Sequence, residues 1–328
     1  MISYSRQEIT KKDLTEISKV LYSDFITQGP TISKFENNVA NFCNVKFAKA
    51  VNSATSALHI ACLSLNLKQG DWLWTSPNTF VSSSNCALMC GAKIDFVDID
   101  LKTYNICPNK LEAKLKIAKK KKILPKIIIP VHFAGQPADM EAIYKLSKIY
   151  GFKIIEDASH AIGAKYQIKN KKNKKKNIKV GSCYHSDITI FSFHAVKIIT
   201  TGEGGMVLTN KKKISECIDR LRSHGISRNK KIFKKYLKHE TWGYQQLELG
   251  YNYRMTEFQA ALGLSQMKRL RKYIQLRKKM VEKYNKMLCD KNITKPWQDR
   301  KTSSAFHLYP ILLKKKNDKK FQSKVLKH

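Results

Sequence analysis

At 328 residues, 42% of them apolar, the chain is long enough for one large core and a smaller second domain. Its 62 Lys and Arg against 25 Asp and Glu leave a net charge of +37, but the lysines are spread out and no arginine- or aromatic-interleaved motif accompanies them. They read as solvated faces, with a positive field that favours an anionic substrate and with neither nucleic acid nor membrane as a partner. No apolar run reaches 18 residues, the start MISYSRQEITKKDL has no apolar core, and the eight cysteines form no CxxC pair. A soluble, cytoplasmic protein with reduced, mostly buried thiols and no metal site is expected.

In chain order, FAKAV reads as a short strand and residues 55–65 as a helix. DWLWTS is the next strand and 80–89 the next helix. KIDFVDI then 109–118, and KIIIPVHF then 138–150, repeat the alternation, and FKIIED follows as another apolar strand. Such strands separated by helices imply an α/β fold, a mainly parallel sheet covered on both faces, with ligands beyond the carboxyl ends of its strands. Residues 119–122 read as a solvated helix end, and 169–179 (KNKKNKKKNIK) as an expanded, mobile loop. DITIFSF and GMVLTN are strands, 214–222 is helical, and 256–286 forms one long helix carrying Phe258, Leu262, Leu264, Met267 and Leu270. AFHLYPILL reads as a strand opening the second domain.

Chemistry is therefore sought just after each strand. After FAKAV comes NSATSALHIA, hydroxyls running into a helix start whose free N–H groups suit a phosphate, although an ordinary helix cap reads the same way. After the second strand, SPNTFVSSSN sets Phe80 at the mouth, where it could stack on a planar ring or belong to the core. After FKII come Glu156 and Asp157. A carboxylate at a buried strand end needs a cation or a strong donor, so Asp157 either meets one or caps the next segment. His160, three residues on, bonds a ligand or a backbone carbonyl. In ITIFSFHAVKIITTGEGG a surface role is the default for any one lysine. Lys197 differs because an apolar strand feeds it and a Thr/Gly turn leaves it, with Gly204 and Gly205 permitting close backbone approach. Together these features suit a flat aromatic cation bearing a phosphate and an aldehyde. Pyridoxal 5'-phosphate needs such a lysine, a carboxylate for its ring nitrogen, a helix N-terminus and a ring to stack on.

The segments FITQGPTISKFE, AVNSATSALHIA, IIEDASHAIGA, FSFHAVKIITTGEGGMVLTN and LGYNYRMTEFQAALGLSQM resemble the motifs of DegT/DnrJ-type sugar-nucleotide aminotransferases, which are fold-type I pyridoxal-phosphate enzymes. The resemblance runs from YSRQEITKKDL to HLYPILL, nearly the whole chain. It implies a large α/β domain over residues 1–250, with an N-terminal arm and a mainly parallel seven-stranded sheet. Residues 251–328 would form a connecting helix and the start of a smaller α+β domain, incomplete because family members continue beyond HLYPILL.

By the same resemblance, Lys197 is the lysine bonded to the cofactor aldehyde, Asp157 pairs with the ring nitrogen and His160 lies beside the phenolic oxygen. Ala54, Thr55, Ser56 and Ser192 serve the phosphate, and Phe80 stacks on the ring. Asn252 reaches the phosphate of a neighbouring subunit, which implies a homodimer. The likeness is greatest to members that use L-glutamate to aminate C4 of a UDP-linked 4-keto-6-deoxy-N-acetylhexose in pseudaminic acid biosynthesis. Four alternatives stand beside it: an aminotransferase for another nucleotide-linked keto sugar, a related dehydratase, a non-catalytic nucleic-acid binder suggested only by the charge, and an inactive cofactor-binding fragment. Dehydratase relatives carry histidine in place of the lysine, so Lys197 argues against that reading.

Overall fold

A computed structural model describes residues 5–169, 174–229, 233 and 243–314. Helices α1 (Lys11–Leu21) and α2 (Pro30–Cys43) lead into strand β1 (Phe47–Val51) and helix α3 (Ala54–Ser64). Then follow β2 (Trp72–Thr75), α4 (Ser82–Leu88), β3 (Lys93–Phe96), α5 (Pro108–Lys120), β4 (Ile127–Ile129), α6 (Met140–Tyr150) and β5 (Lys153–Asp157). A hairpin of β6 (Lys165–Lys169) and β7 (Lys175–Lys179) precedes β8 (Ile188–Ser192), β9 (Gly205–Thr209) and α7 (Lys212–Leu221).

The seven-stranded sheet has the order β1-β9-β8-β5-β4-β2-β3, and only β9 runs against the rest. Alternate residues of each strand feed opposite cores. Trp74, Ile128, Ile154 and Phe191 pack with α2, α5 and α6, while Leu73, Ile127, Ile129, Ile155 and Ile190 pack with α3, α4 and α7. The expected α/β architecture with a large, mainly parallel sheet is thus the one observed.

Four local expectations are corrected. KIIIPVHF is a strand for only three residues, because Pro130 cannot donate to the ladder. Of 169–179, residues 170–173 lie outside the described residues, but the rest is hairpin. Tyr166 faces Ile178 in register, and both are buried with Ile168, so apolar residues at every second position anchor a lysine-rich ribbon. The long helix 256–286 is two, α8 (Glu257–Met267) and α9 (Leu270–Met287). At the break the Arg269 amide bonds Gln266 O at 3.0 Å, and its guanidinium bonds the buried Asp13 of α1 at 2.6 and 2.9 Å. Two short strands are added, β10 (Ile226–Ser227) and β11 (Gln245–Gln246).

In the last segment, β12 (Ile293–Thr294) pairs with β14 (Leu312–Leu313), and β13 (Thr302–Ser303) adds a third strand to the hairpin. The remainder of AFHLYPILL is not strand, since the Ala305 and Leu308 amides bond the carbonyls of Gly135 and Ala134 at 3.1 and 3.3 Å. All eight cysteines are free; Cys43, Cys62, Cys86 and Cys183 are buried and Cys289 is exposed. No helix among the described residues is long and apolar enough to cross a membrane.

Candidate active site

The carboxyl ends of β5 and β8, the start of α3 and the loop before α4 converge on a cavity of about 660 Å³. Lys197 enters it from the loop between β8 and β9. That loop is closed by Phe193 N to Gly204 O (2.9 Å), Thr201 N to Phe193 O (2.9 Å) and Lys197 N to His194 O (2.9 Å). Burial pushes the Lys197 ammonium below its usual range, and the Asp157 charge only partly opposes this.

Asp157 and Glu156 are neighbours on β5, so strand alternation sends them to opposite faces. Glu156 turns inward to His132 Nε2 (2.8 Å), Thr189 Oγ1 (3.0 Å) and Ser186 Oγ. Burial alone would raise its carboxyl, but these donors hold it below the usual range. Asp157 faces the cavity, accepting from Ser83 Oγ at 2.6 Å and from the Ser159 amide at 3.1 Å. It is 5% exposed, and among the described residues no cation lies at ion-pair distance.

At the start of α3, Ser53 caps the helix: its Oγ accepts from the Ser56 amide at 3.1 Å, and Ser56 Oγ donates to Asn52 Oδ1 at 2.6 Å. Ser56 is thereby used in the cap and lies outside the cavity, whereas Ala54 and Thr55 line it. First-turn amides have no intrahelical acceptor, so this wall suits an anion. Gly205 permits the arrangement, because a Cβ there would stand 2.5 Å from Ser53 O and 2.8 Å from Ala54 N. Ser192, the last residue of β8, also lines the cavity.

Phe80 lies at the mouth, 74% exposed. His160 packs against His307 with ring centroids 4.4 Å apart, and its buried Nδ1 has no partner. Burial, then the Lys197 charge, push its imidazole down to about 4, so it is neutral at physiological pH.

Seven of the residues expected from the sequence therefore line one cavity: Ala54, Thr55, Phe80, Asp157, His160, Ser192 and Lys197. Asn252 does not; it sits exposed in an isolated bridge with Ser223, its carbonyl accepting from Asn52 Nδ2 at 3.4 Å. Sequence reasoning passed over Ser82, Ser83, Ser159 and Glu203. Thr55 Oγ1 and Ser82 Oγ are 2.7 Å apart, and so are Thr79 Oγ1 and Ser83 Oγ. The hydroxyl-rich run after Pro77 was the available signal, since α4 brings it over Asp157.

The donor set fits pyridoxal phosphate. A buried carboxylate without a cation matches a protonated ring nitrogen, a helix start matches the phosphate, an exposed ring matches its face, and a half-buried amine matches its aldehyde. Among the described residues no group of His, Cys, Asp and Glu is arranged to hold a metal.

Residues 7–328 match the family described as the DegT/DnrJ/EryC1/StrS aminotransferase family. The chain is 40% identical over 95% of its length to the UDP-4-amino-4,6-dideoxy-N-acetyl-beta-L-altrosamine transaminase of Campylobacter jejuni strain 81-176, and the match covers 77% of that protein. Among solved structures it resembles Helicobacter pylori PseC, an aminotransferase involved in pseudaminic acid biosynthesis (TM-score 0.82, 33% identity, 99% of this chain and 80% of that one). It also resembles the PLP form of the putative sugar aminotransferase Spr1654 of Streptococcus pneumoniae (TM-score 0.80, 26% identity, 95% of this chain and 78% of that one).

Proposed function

The chain belongs to the DegT/DnrJ/EryC1/StrS aminotransferase family, and from that premise we propose that it moves the amino group of L-glutamate to the C4 ketone of a UDP-linked 4-keto-6-deoxy-N-acetylhexose. It is a pyridoxal-phosphate-dependent sugar aminotransferase. The finer substrate, and a place in pseudaminic acid biosynthesis, draw support from the likeness to the Campylobacter and Helicobacter enzymes. The observation that carries the catalytic reading is the meeting of Lys197, Asp157 and the α3 start in one cavity.

Bound pyridoxal phosphate supplies an aldehyde that captures amines and a ring that takes up electrons from the adjoining carbon. Lys197 Nζ holds the aldehyde. Burial makes it a free amine more of the time than an exposed lysine, so once displaced it serves as the base that moves a proton at the donor carbon. Asp157, oriented by Ser83 and Ser159, keeps the ring nitrogen protonated. Ala54, Thr55 and Ser192 bind the phosphate, Phe80 covers the ring face, and neutral His160 borders the phenolic oxygen. Asn252, exposed and away from its own cavity, serves the phosphate of a second subunit in a cytoplasmic homodimer. The positive surface favours the UDP diphosphate.

Purified with the cofactor, the protein is expected to show a visible absorbance band that L-glutamate shifts and that Lys197→Ala abolishes. Addition of the UDP-4-keto sugar should restore the band and yield the amino sugar. A band indifferent to Lys197→Ala would refute the site assignment, and a glutamate response without sugar amination would refute the acceptor.

A further inference from the structure

Three thiols and an imidazole meet where α3 packs on α4, and none of them lines the cofactor cavity. Cys62 lies one turn beyond His59 on α3. Cys90, in the turn that leaves α4, lies one turn beyond Cys86, so each pair shares a helix face. Cys62 Sγ donates to Cys86 Sγ at 3.7 Å and also reaches Cys90. Cys62 and Cys86 are fully buried, whereas Cys90 is only partly buried and gives solvent a way to the cluster.

The bond from Cys62 pulls the Cys90 thiol below its usual range; burial opposes this and the nearby His59 ring adds to it. Contact with Cys86 and Cys90, together with burial, pushes Cys62 up, so it remains a thiol beside a thiolate. Burial pushes Cys43, Cys183 and Cys217 up as well. His59 Nδ1 lies 3.2 Å from the Tyr253 hydroxyl, and its buried Nε2 has no hydrogen-bond partner. A partly open thiolate with a second thiol in contact is the arrangement that peroxide-sensing cysteines require.

We propose that Cys90 is an oxidation site for hydroperoxides, that Cys62 is its resolving thiol, and that the resulting disulfide slows the enzyme by tying the end of α4 to α3. The Cys90 thiolate attacks a peroxide oxygen: an S–O bond forms, the O–O bond breaks, and the departing oxygen takes up a proton and leaves as water or an alcohol. Cys90 is then a sulfenic acid, oxidised by two electrons, and the peroxide is reduced. Cys62 sulfur attacks that sulfur in turn. The S–S bond forms, the S–O bond breaks, and hydroxide leaves with the Cys62 proton as water. A dithiol reverses the bond by exchange. The same two helices build the site at their other ends, where Thr55 meets Ser82 and Ser83 meets Asp157. Because α4 has only seven residues, closing two sulfurs from contact to about 2 Å at its end displaces Ser83 as well.

The test treats reduced holoenzyme with hydrogen peroxide and maps the thiols by mass spectrometry. Fragmentation between Cys86 and Cys90 should place the disulfide on Cys62 and Cys90, and dithiothreitol should remove it. In Cys62→Ala, dimedone should trap the Cys90 sulfenic acid. Cys90→Ser should form no disulfide and keep its activity in peroxide; it changes a partly open turn position and carries the result should Cys62→Ala misfold. The rate at which L-glutamate shifts the visible band should fall roughly 10- to 100-fold on oxidation and recover with dithiothreitol; this readout rests on the aminotransferase reading above. Oxidation confined to the exposed Cys289, or a Cys62–Cys86 bond that forms as fast in Cys90→Ser, overturns the site. A Cys62–Cys90 disulfide that leaves the rate unchanged overturns its link to the cofactor site. Absence of the visible band would sink the aminotransferase reading, and the thiol map would still judge Cys90 and Cys62.

Discussion

Replacing Gly205 by alanine tests whether the close approach of β9 to the start of α3 builds the phosphate wall. Gly205 pairs with Val51 on one side and Ser192 on the other, beneath the Ser53 cap. The added Cβ would stand 2.5 Å from Ser53 O and 2.8 Å from Ala54 N. Restoring ordinary contact requires the helix start to withdraw by about 1 Å. Neither side can yield freely, because Gly205 lies in the middle of a three-strand ladder and Ser53 is fixed by its cap. Overpacking of this kind costs about 1–3 kcal/mol, a fall in melting temperature on the order of 5 °C. The displaced amides would also lose charge-assisted bonds to the phosphate worth about 1.5–3 kcal/mol, roughly a 10- to 100-fold weaker cofactor affinity.

Absorbance titration with pyridoxal phosphate and melting of the cofactor-free protein separate the two effects. Gly202→Ala is the control. With φ +79° and nothing within 4 Å of its Cβ, it should cost roughly 1–2 kcal/mol of backbone strain and leave cofactor affinity alone. Gly205→Ala binding cofactor as wild type does, or losing no more than Gly202→Ala, would refute the reasoning.

Ser83→Ala removes the 2.6 Å bond into the Asp157 carboxylate; kcat should fall by about 1.5–3 kcal/mol of barrier with cofactor retained, and Ser83→Thr should recover part of it. Burial pushes His160 down to about 4 from 6.5, and His307 falls as well. Below pH 6.5 the unfolded chain therefore binds protons that the native state refuses. Stability is full above that pH and is lost as pH falls toward 4, by about 3 kcal/mol for His160 alone. Urea unfolding across this window should show the slope, and His307→Asn should flatten it. Arg222→Met strands the buried Glu36 and should cost about 3–5 kcal/mol, while the double variant with Glu36→Gln should regain much of it; equal losses in single and double variants would mean that the pair is not coupled.

Local pattern sufficed where one residue's environment is dictated by its own strand. DITIFSF and FKIIED are apolar enough to be central strands, and a lysine or carboxylate at the carboxyl end of such a strand has few places to go but the ligand site. It did not suffice where the outcome depends on a distant partner. The run 256–286 has unbroken helical periodicity, yet it breaks at Arg269, whose guanidinium reaches Asp13. The lysines of 175–179 mask the single buried Ile178 that seats the ribbon. AFHLYPILL has the composition of a strand, but its amides are claimed by the turn at Ala134 and Gly135.

The order of strands, helices and chemically apt residues along the chain, and hence the cofactor class, was determined by the sequence itself, because apolar periodicity and strand-end polarity are local properties. Tertiary structure decided that Glu156 turns to His132 while Asp157 lines the cavity, and that Ser83 supports Asp157. Those outcomes depend on which groups, tens to hundreds of residues apart, come within bonding distance, and no local pattern encodes such distances.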